Sequence, residues 1–228
     1  MIKAVIFDFF GVLAVRGTAS FRQTYFGSDT DKINQAKKVQ ESLSKGDIGY
    51  DDFITALAKI GGVDREMVLQ YTENYQPNTQ LLDYIRLTLR PKYKIGIISN
   101  AGADWIVKIL GEVNKKLFDD IVLSYKEGFI KPDSEIYEIS LKNLGAGGGE
   151  CVFIDDILTY CQGAEAVGMN TIWYQDFQQM KTELQKLLNN AQWSMLNAVN
   201  EWPMGQCIES LNSLTAFIEH WNLNIDSF

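Results

Sequence analysis

The sequence predicts an α/β protein with a doubly wound, Rossmann-like parallel sheet, a small all-helical domain inserted into it and a helical C-terminal extension. Three observations in the 228-residue chain carry this prediction. Short apolar runs alternate with helical patterns, as in βαβ units. The interval after the first run is far longer than the roughly 30 residues of one such unit and is helical in pattern. Beyond Lys186 the chain has no Lys or Arg but contains three of its five tryptophans.

The strands are predicted from apolar runs rich in β-branched and aromatic residues. The first run, Ala4 to Phe7, ends at Asp8 and turns at Gly11, as expected for a strand buried on both faces. Similar runs occur at residues 95–98, 121–123, 152–154 and 171–174, and helical patterns between them cover residues 104–110, 134–144 and 157–167. The alternation predicts parallel strands covered by helices on both faces. We assign residues 1–14 and 92–188 to this core.

The insert, residues 15–91, is predicted to be a helical domain. Its helical patterns cover residues 30–43, 50–60, 65–75 and 79–90, and they are interrupted at Gly46, Gly61-Gly62 and Gln76-Pro77. Ligands of such sheets bind beyond the carboxyl ends of the strands. Because the insert leaves from the end of the first strand, it is a candidate lid.

Composition and residue counts exclude several classes of function. With 21 basic and 29 acidic residues the formal charge is -8, which disfavours a nucleic acid partner. Cys151, Cys161 and Cys207 are too few for a disulfide framework and suit a reducing compartment, so we predict a cytoplasmic location. His220 is the only histidine, which excludes multi-histidine metal sites and disfavours Ser-His-Asp triads. Asp8 interrupts the first apolar run, and no later segment is long enough to span a bilayer.

Polar residues cluster where the apolar strands end. In a parallel sheet these ends meet, so we expect three carboxylates, a hydroxyl and an ammonium to converge. Crowded carboxylates take up protons or hold a cation, and all-oxygen ligation favours Mg²⁺. Each Asp, Ser or Asn alone is better explained as a turn or helix-cap residue, and the lysine alone as a solvated side chain, but their joint occurrence predicts a site for a phosphoryl group. The candidates are Asp8, Ser99, Asn100, Lys131, Asp155 and Asp156.

The order of these motifs resembles the haloacid dehalogenase (HAD) superfamily, and in particular its phosphatase branch with an Ile-Asp-Asp fourth motif. The matching segments are VIFDFFGVL at residues 5–13, IISN at 97–100, FIKPD at 129–133 and VFIDD at 152–156. The resemblance spans residues 2 to about 188 and does not cover residues 189–228. It identifies the helical insert with the cap domain of that superfamily.

The resemblance implies a role for each candidate residue. Asp8 would be the nucleophile that becomes an aspartyl phosphate, and Lys131 would neutralise the transition state. Ser99 and the backbone of Asn100 would hold phosphoryl oxygens. Mg²⁺ would be held, directly or through water, by Asp8, the backbone carbonyl of Phe10, Asp155 and Asp156. The substrate would be a small phosphorylated metabolite, of which a sugar phosphate is one example.

One departure from the superfamily leaves the activity open. Its phosphatases usually place an acid/base Asp two residues after the nucleophile, where this chain has Phe10. Loss of such a group typically costs about 10² to 10⁴ in rate. Three functions remain open: a slow phosphatase, a 2-haloacid dehalogenase using Arg16 or Arg22 for halide, and a non-catalytic binding protein. Asp155-Asp156 keeps the metal-binding form of the fourth motif, which favours the phosphatase.

The C-terminal extension is predicted to contain two helices, at residues 191–200 and 206–220. Its tryptophan-rich, Lys- and Arg-free composition fits either packing on the core or a homodimer interface.

Overall fold

A computed structural model of the protein describes residues 1–14 and 17–200, and side-chain surroundings for residues 1–14 and 21–189. The chain divides into two compact units, residues 1–188 and 189–228. In the first unit, five parallel strands form one sheet in the order β3-β2-β1-β4-β5. These strands are β1 Ala4–Phe7, β2 Lys94–Ser99, β3 Asp120–Leu123, β4 Cys151–Asp155 and β5 Asn170–Trp173. The predicted doubly wound α/β core is confirmed.

The central strand sets the position of the candidate residues. All four residues of β1 are completely buried, because β2 and β4 flank the strand and both faces are covered. Phe7 lies opposite Ile97 of β2 and Ile154 of β4. The residues that follow these three positions therefore lie at the same edge of the sheet.

Residues 17–91 of the insert, which the structure describes, contain five α-helices and one π-helical segment. They are α1 Gly17–Tyr25, α2 Thr30–Lys45, α3 Tyr50–Gly61, α4 Arg65–Thr72 and α5 Thr79–Tyr84, which continues as the π-helical Ile85–Leu89. Helix α1 was not predicted, and α4 ends three residues before the predicted end at residue 75. Asp29 caps α2 by accepting hydrogen bonds from the next helical amides, and Gly46 ends it at φ 81°.

The insert has a hydrophobic core of its own. Helices α1 to α4 contribute buried side chains that include Phe21, Leu43, Phe53, Leu57 and Val68. The π-helical segment instead packs beside β2, and α5 holds Tyr84 against Phe177. The insert boundary at residue 91 stays a prediction.

In the described residues after the insert there are five further α-helices: α6 Ile106–Lys115, α7 Ser124–Glu127, α8 Ser134–Leu144, α9 Leu158–Ala166 and α10 Phe177–Asn200. Helices α8 and α9 cover one face of the sheet with a core that includes Ile6, Tyr137 and Phe153. Helix α8 has its predicted bounds. Helix α6 begins two residues after its predicted start and continues past a non-helical Gly111, and helix α7 was not predicted.

The C-terminal prediction was wrong in one respect. Residues 191–200 are the end of the long helix α10 rather than a separate helix, because no break residue precedes them. The second predicted helix, at 206–220, lies outside the described residues, as do Cys207 and His220. Within the described part of the chain, no helix is long and apolar enough to cross a membrane.

The insert contacts the carboxyl edge of the sheet in two places. Ala14 and Pro77 form a backbone bridge, and the Asn78 amide donates to the Leu13 carbonyl at 2.8 Å. On the opposite side, the Ser124 hydroxyl, directly after β3, donates to the Ser44 carbonyl of α2 at 2.5 Å. These contacts place the insert against the loops that follow the strands.

Candidate active site

A buried ion-pair triad lies at the carboxyl edge of the sheet. The Lys131 ammonium donates to Asp8 Oδ1 and to Asp155 Oδ2, each at 2.6 Å. The Lys131 side chain is completely buried, and Asp8 follows β1 directly while Asp155 ends β4. Residues separated by more than a hundred positions in sequence are thus brought together by adjacent strands and by the loop before α8.

Three carboxylates form a cluster that fits a hard metal ion. Asp8, Asp155 and Asp156 each offer one oxygen, and these oxygens lie within 4.8 Å of one another. Oxygen-only donors of this kind suit Mg²⁺. The backbone at Gly11 is part of this fit, because a Cβ added there would lie 2.4 Å from Asp156 Oδ2. With φ of 101° at this residue, only glycine allows the close approach without strain.

The charges in the cluster explain the protonation state of Lys131. Burial acts to lower the pKa of this lysine, but the charges of Asp155 and Asp8 outweigh it and hold the pKa above its ordinary value. The rings of Phe153 and Tyr160 lie 5.3 and 5.0 Å from the ammonium and add cation–π contacts. One ammonium among three carboxylates leaves an excess of negative charge, which a divalent cation would neutralise.

Asn100 holds the main chain of Lys131 in place. Its side-chain carbonyl accepts from the Lys131 amide at 2.8 Å, and its Nδ2 donates to the Lys131 carbonyl at 3.0 Å. The same Nδ2 lies 3.3 Å from the hydroxyl of Tyr160. Sequence reasoning assigned only the backbone of Asn100 to a phosphoryl group and missed Tyr160. The one available signal was the position of Tyr160 in the first turn of the helix after Asp155-Asp156.

Ser99 contributes an unsatisfied hydroxyl. It ends β2, is completely buried, and its Oγ has no hydrogen-bond partner within the described ranges. Leaving a buried hydroxyl unpaired costs about 1–3 kcal/mol. An oxygen of a bound ligand would accept a hydrogen bond from this hydroxyl, so the position suits a bound anion.

Phe10 brings the insert into contact with the site. Its ring centroid lies 4.8 Å from that of Phe9 and 5.1 Å from that of Tyr75, which the insert supplies after α4. An apolar ring therefore occupies the position where the resemblance led us to expect an acidic group.

Neither Cys151 nor Cys161 belongs to the carboxylate cluster, although Cys161 Sγ lies 3.6 Å from the backbone carbonyl of Asp155. Cys151 and Cys161 are buried, and burial raises their pKa values to about 11 and about 12, so both stay as thiols. Arg22 lies on α1 of the insert, and Arg16 is outside the described residues.

The chain is similar in sequence to known hydrolases. Residues 2–168 match the family of haloacid dehalogenase-like hydrolases. The chain is 27% identical over 210 residues to a D-ribitol-5-phosphate phosphatase of Bacteroides thetaiotaomicron, covering 83% of this chain and the whole of that protein. It is 29% identical over 192 residues to a sesquiterpene phosphatase of Aspergillus oryzae, covering 82% of this chain and 96% of that protein.

Solved structures share the fold. A HAD family enzyme of Bacteroides thetaiotaomicron, crystallised with magnesium and inorganic phosphate, superposes with a TM-score of 0.62 at 25% identity over 77% of this chain and 95% of that one. An L-2-haloacid dehalogenase of Xanthobacter autotrophicus has a TM-score of 0.56 at 18% identity, over 82% of this chain and 83% of that one, and shows the fold alone.

Proposed function

The chain belongs to the haloacid dehalogenase-like hydrolases, and from this premise we propose that it is a magnesium-dependent phosphatase of small phosphomonoesters. The observation that carries the proposal is the buried contact of Lys131 with Asp8 and Asp155, beside the third carboxylate of Asp156. The two curated relatives above are phosphatases by name, and their substrates are chemically unlike each other, a sugar alcohol phosphate and a sesquiterpene phosphate.

Asp8 is the proposed nucleophile. Lys131 donates to its Oδ1, so we assign the attack on phosphorus to Oδ2. The new Oδ2–P bond forms as the ester P–O bond breaks, and the electron pair leaves with the ester oxygen. Water then displaces the carboxylate from phosphorus and releases inorganic phosphate.

The site residues supply positive charge and donors for the phosphoryl group. Ser99 Oγ and the Asn100 backbone would donate to phosphoryl oxygens, and Lys131 would compensate the charge that develops on them. Asp8, Asp155, Asp156 and the Phe10 carbonyl would hold Mg²⁺. The ion, when bound, would contribute charge neutralisation and polarise a phosphoryl oxygen.

Phe10 explains why turnover should be slow. A hydrocarbon ring neither protonates the leaving oxygen nor activates water, so the chain lacks an acid/base at this position. The retained acidic pair Asp155-Asp156 argues against a dehalogenase, whose branch replaces that pair in the fourth motif. The protein is therefore proposed to be a phosphatase whose rate depends strongly on the leaving group of the substrate.

A substrate panel tests this function. Purified protein is incubated with phosphorylated metabolites and with 2-haloacids, with and without Mg²⁺, and released phosphate and halide are measured. Phosphate release that requires Mg²⁺ and disappears in Asp8→Asn supports the proposal. Halide release without metal would assign the chain to the dehalogenases, and no turnover of either class would leave a binding protein.

We also propose a location and an assembly state for the chain. The chain would act in the cytoplasm, where its thiols stay reduced. Residues 189–228 would form a homodimer surface, for which the test is the mass of the full chain in solution by light scattering. A monomer mass at all accessible concentrations would refute the dimer.

A further inference from the structure

We propose that the substrate, within the phosphatase function proposed above, is an aryl phosphomonoester whose planar ring packs on an aromatic wall beside Asp8. The wall consists of Phe10, Tyr50, Tyr75 and Trp105. The inference rests on that proposed function, and it narrows the substrate class from small phosphomonoesters to those with a planar, apolar and electron-withdrawing leaving group.

The wall is continuous, and two of its rings lie on the loops that follow the site residues of β1 and β2. The centroids of Phe10 and Tyr75 lie 5.1 Å apart, those of Tyr75 and Trp105 5.8 Å, and those of Trp105 and Tyr50 4.7 Å. Phe10 lies two residues after Asp8, on the loop that leaves β1, and Trp105 lies on the loop that leaves Ser99 and Asn100 at the end of β2. The insert supplies the two tyrosines.

The rings are arranged to receive an apolar group. Phe10, Tyr50 and Tyr75 are only partly buried, so part of each ring surface is accessible. The Tyr50 hydroxyl is already engaged with Thr72 Oγ1 at 2.9 Å. The pKa of Tyr75 is raised, by burial above all, so this residue stays neutral. Offset or edge contacts with an aryl ring are the favourable interactions of such a surface.

The same wall would bind a sugar or polyol weakly. Its hydroxyl groups need hydrogen-bond partners, and leaving them unpaired on burial is costly. Two charged groups close to Trp105 are already paired: Lys108, which lies 5.1 Å over that ring, contacts Glu73 at 3.0 Å, and Asp104 contacts Lys126 at 3.3 Å.

The missing acid points to the same substrate class. Asp8 Oδ2 bonds to phosphorus while the P–O bond to the ring breaks, and the electron pair departs on the ring oxygen as a phenolate. A phenolate is the base of an acid with pKa about 10 and leaves without a proton, which it later takes from water. An alkoxide resembles hydroxide and is a far stronger base than a phenolate, so it needs a proton donor, which Phe10 cannot provide. Recognition and reactivity therefore favour the same aryl esters.

The experiment measures binding and turnover separately. Benzylphosphonate and cyclohexylmethylphosphonate are non-hydrolysable and similar in size, but only the first is planar, and each is titrated into the full chain with Mg²⁺ by calorimetry. Phenyl phosphate and cyclohexyl phosphate are the corresponding substrates. The variants are Tyr75→Leu, the ring-preserving Tyr75→Phe, and Tyr71→Leu as a matched control inside the insert core, where Tyr71 packs on Phe21 and Tyr25.

We expect benzylphosphonate to bind about fivefold more tightly than its cyclohexyl analogue, as one aromatic contact predicts. Tyr75→Leu should remove this ratio, whereas Tyr75→Phe and Tyr71→Leu should retain it. Hydrolysis of both esters with equal phosphonate affinities, or a ratio that survives Tyr75→Leu, overturns the aromatic wall and leaves the phosphatase standing. No hydrolysis of either ester, with the benzyl preference intact, overturns the phosphatase and keeps an aryl-binding surface.

Discussion

Replacing Phe10 by Asp should restore the missing acid/base and raise turnover. A positioned acid contributes typically 10² to 10⁴ in rate, or about 3–5 kcal/mol of barrier. The new carboxyl would lie between the rings of Phe9 and Tyr75 and near the carboxylates of Asp8 and its neighbours. Burial and like charge both raise the pKa of a carboxyl above its usual 3.9, so the group would be protonated over a wider pH range, as an acid must be.

The gain should depend on the leaving group. For cyclohexyl phosphate we expect kcat/KM to rise about 100-fold or more, because the alkoxide needs the proton, while phenyl phosphate should gain less than about tenfold. For cyclohexyl phosphate, the gain should decline as pH rises through the pKa of the new carboxyl, because its acid form is lost. Losing the half-buried ring should lower the free energy of unfolding by about 1–2 kcal/mol.

Phe10→Asn provides the matched control for this change. It has nearly the shape of Asp and loses the same ring contacts, but it transfers no proton at neutral pH. The assay is release of inorganic phosphate from both esters across pH 5 to 9, with urea unfolding as the measure of stability. Equal turnover by the Asp and Asn variants, or an equal gain on both esters, would refute the reasoning about the missing acid.

Other substitutions test the charge balance, the close packing and the unpaired hydroxyl. Lys131→Met should abolish turnover and, in the absence of Mg²⁺, lower the free energy of unfolding by about 3–5 kcal/mol, because it leaves two buried carboxylates uncompensated. A urea titration that shows the stability of the wild type would contradict this prediction. Gly11→Ala places a Cβ 2.4 Å from the Asp156 carboxylate and should weaken Mg²⁺ binding measured by calorimetry. The control Gly128→Ala, at φ 77° with no atom within 4 Å of the added Cβ, strains the backbone only and should leave Mg²⁺ binding unchanged. Ser99→Ala removes an unsatisfied hydroxyl, so the free energy of unfolding should hold or rise while the affinity for inorganic phosphate falls. The control Ser140→Ala loses a 2.7 Å hydrogen bond to the Asp120 carboxylate and should lower the free energy of unfolding by about 1.5–3 kcal/mol. The reverse order of the two variants in thermal unfolding would exclude a ligand role for the Ser99 hydroxyl.

The sequence could predict the positions of the charged residues because strand ends in a parallel sheet are fixed by short-range patterns. Asp8, Ser99 and Asp155 each close an apolar run, and the register of three neighbouring strands places them at one edge. The hydrogen bonds between Asn100 and the Lys131 backbone were not predictable, since they join two loops whose conformations depend on tertiary contacts.

The contact between Tyr75 and Phe10 escaped prediction for a related reason. Residues 73–78 lie between α4 and α5, and their position depends on how the insert docks on the sheet rather than on any periodic pattern. The prediction extended α4 through Tyr75, whereas the proline that follows Gln76 disfavours helical backbone just before it. The early end of the helix is therefore what allows Tyr75 to face the loop after β1.

Asp8, Asp155 and Asp156 together are proposed to hold one Mg²⁺ beside Lys131. Calorimetric titration of Mg²⁺ into the wild type, Asp156→Asn and the exposed-carboxylate control Asp52→Asn tests it directly. We predict one ion per chain in the wild type and in Asp52→Asn, and at least about tenfold weaker binding in Asp156→Asn, because a neutral amide replaces a charged ligand. Equal affinity in all three proteins, or a wild type that binds no Mg²⁺ at millimolar concentrations, would contradict the account.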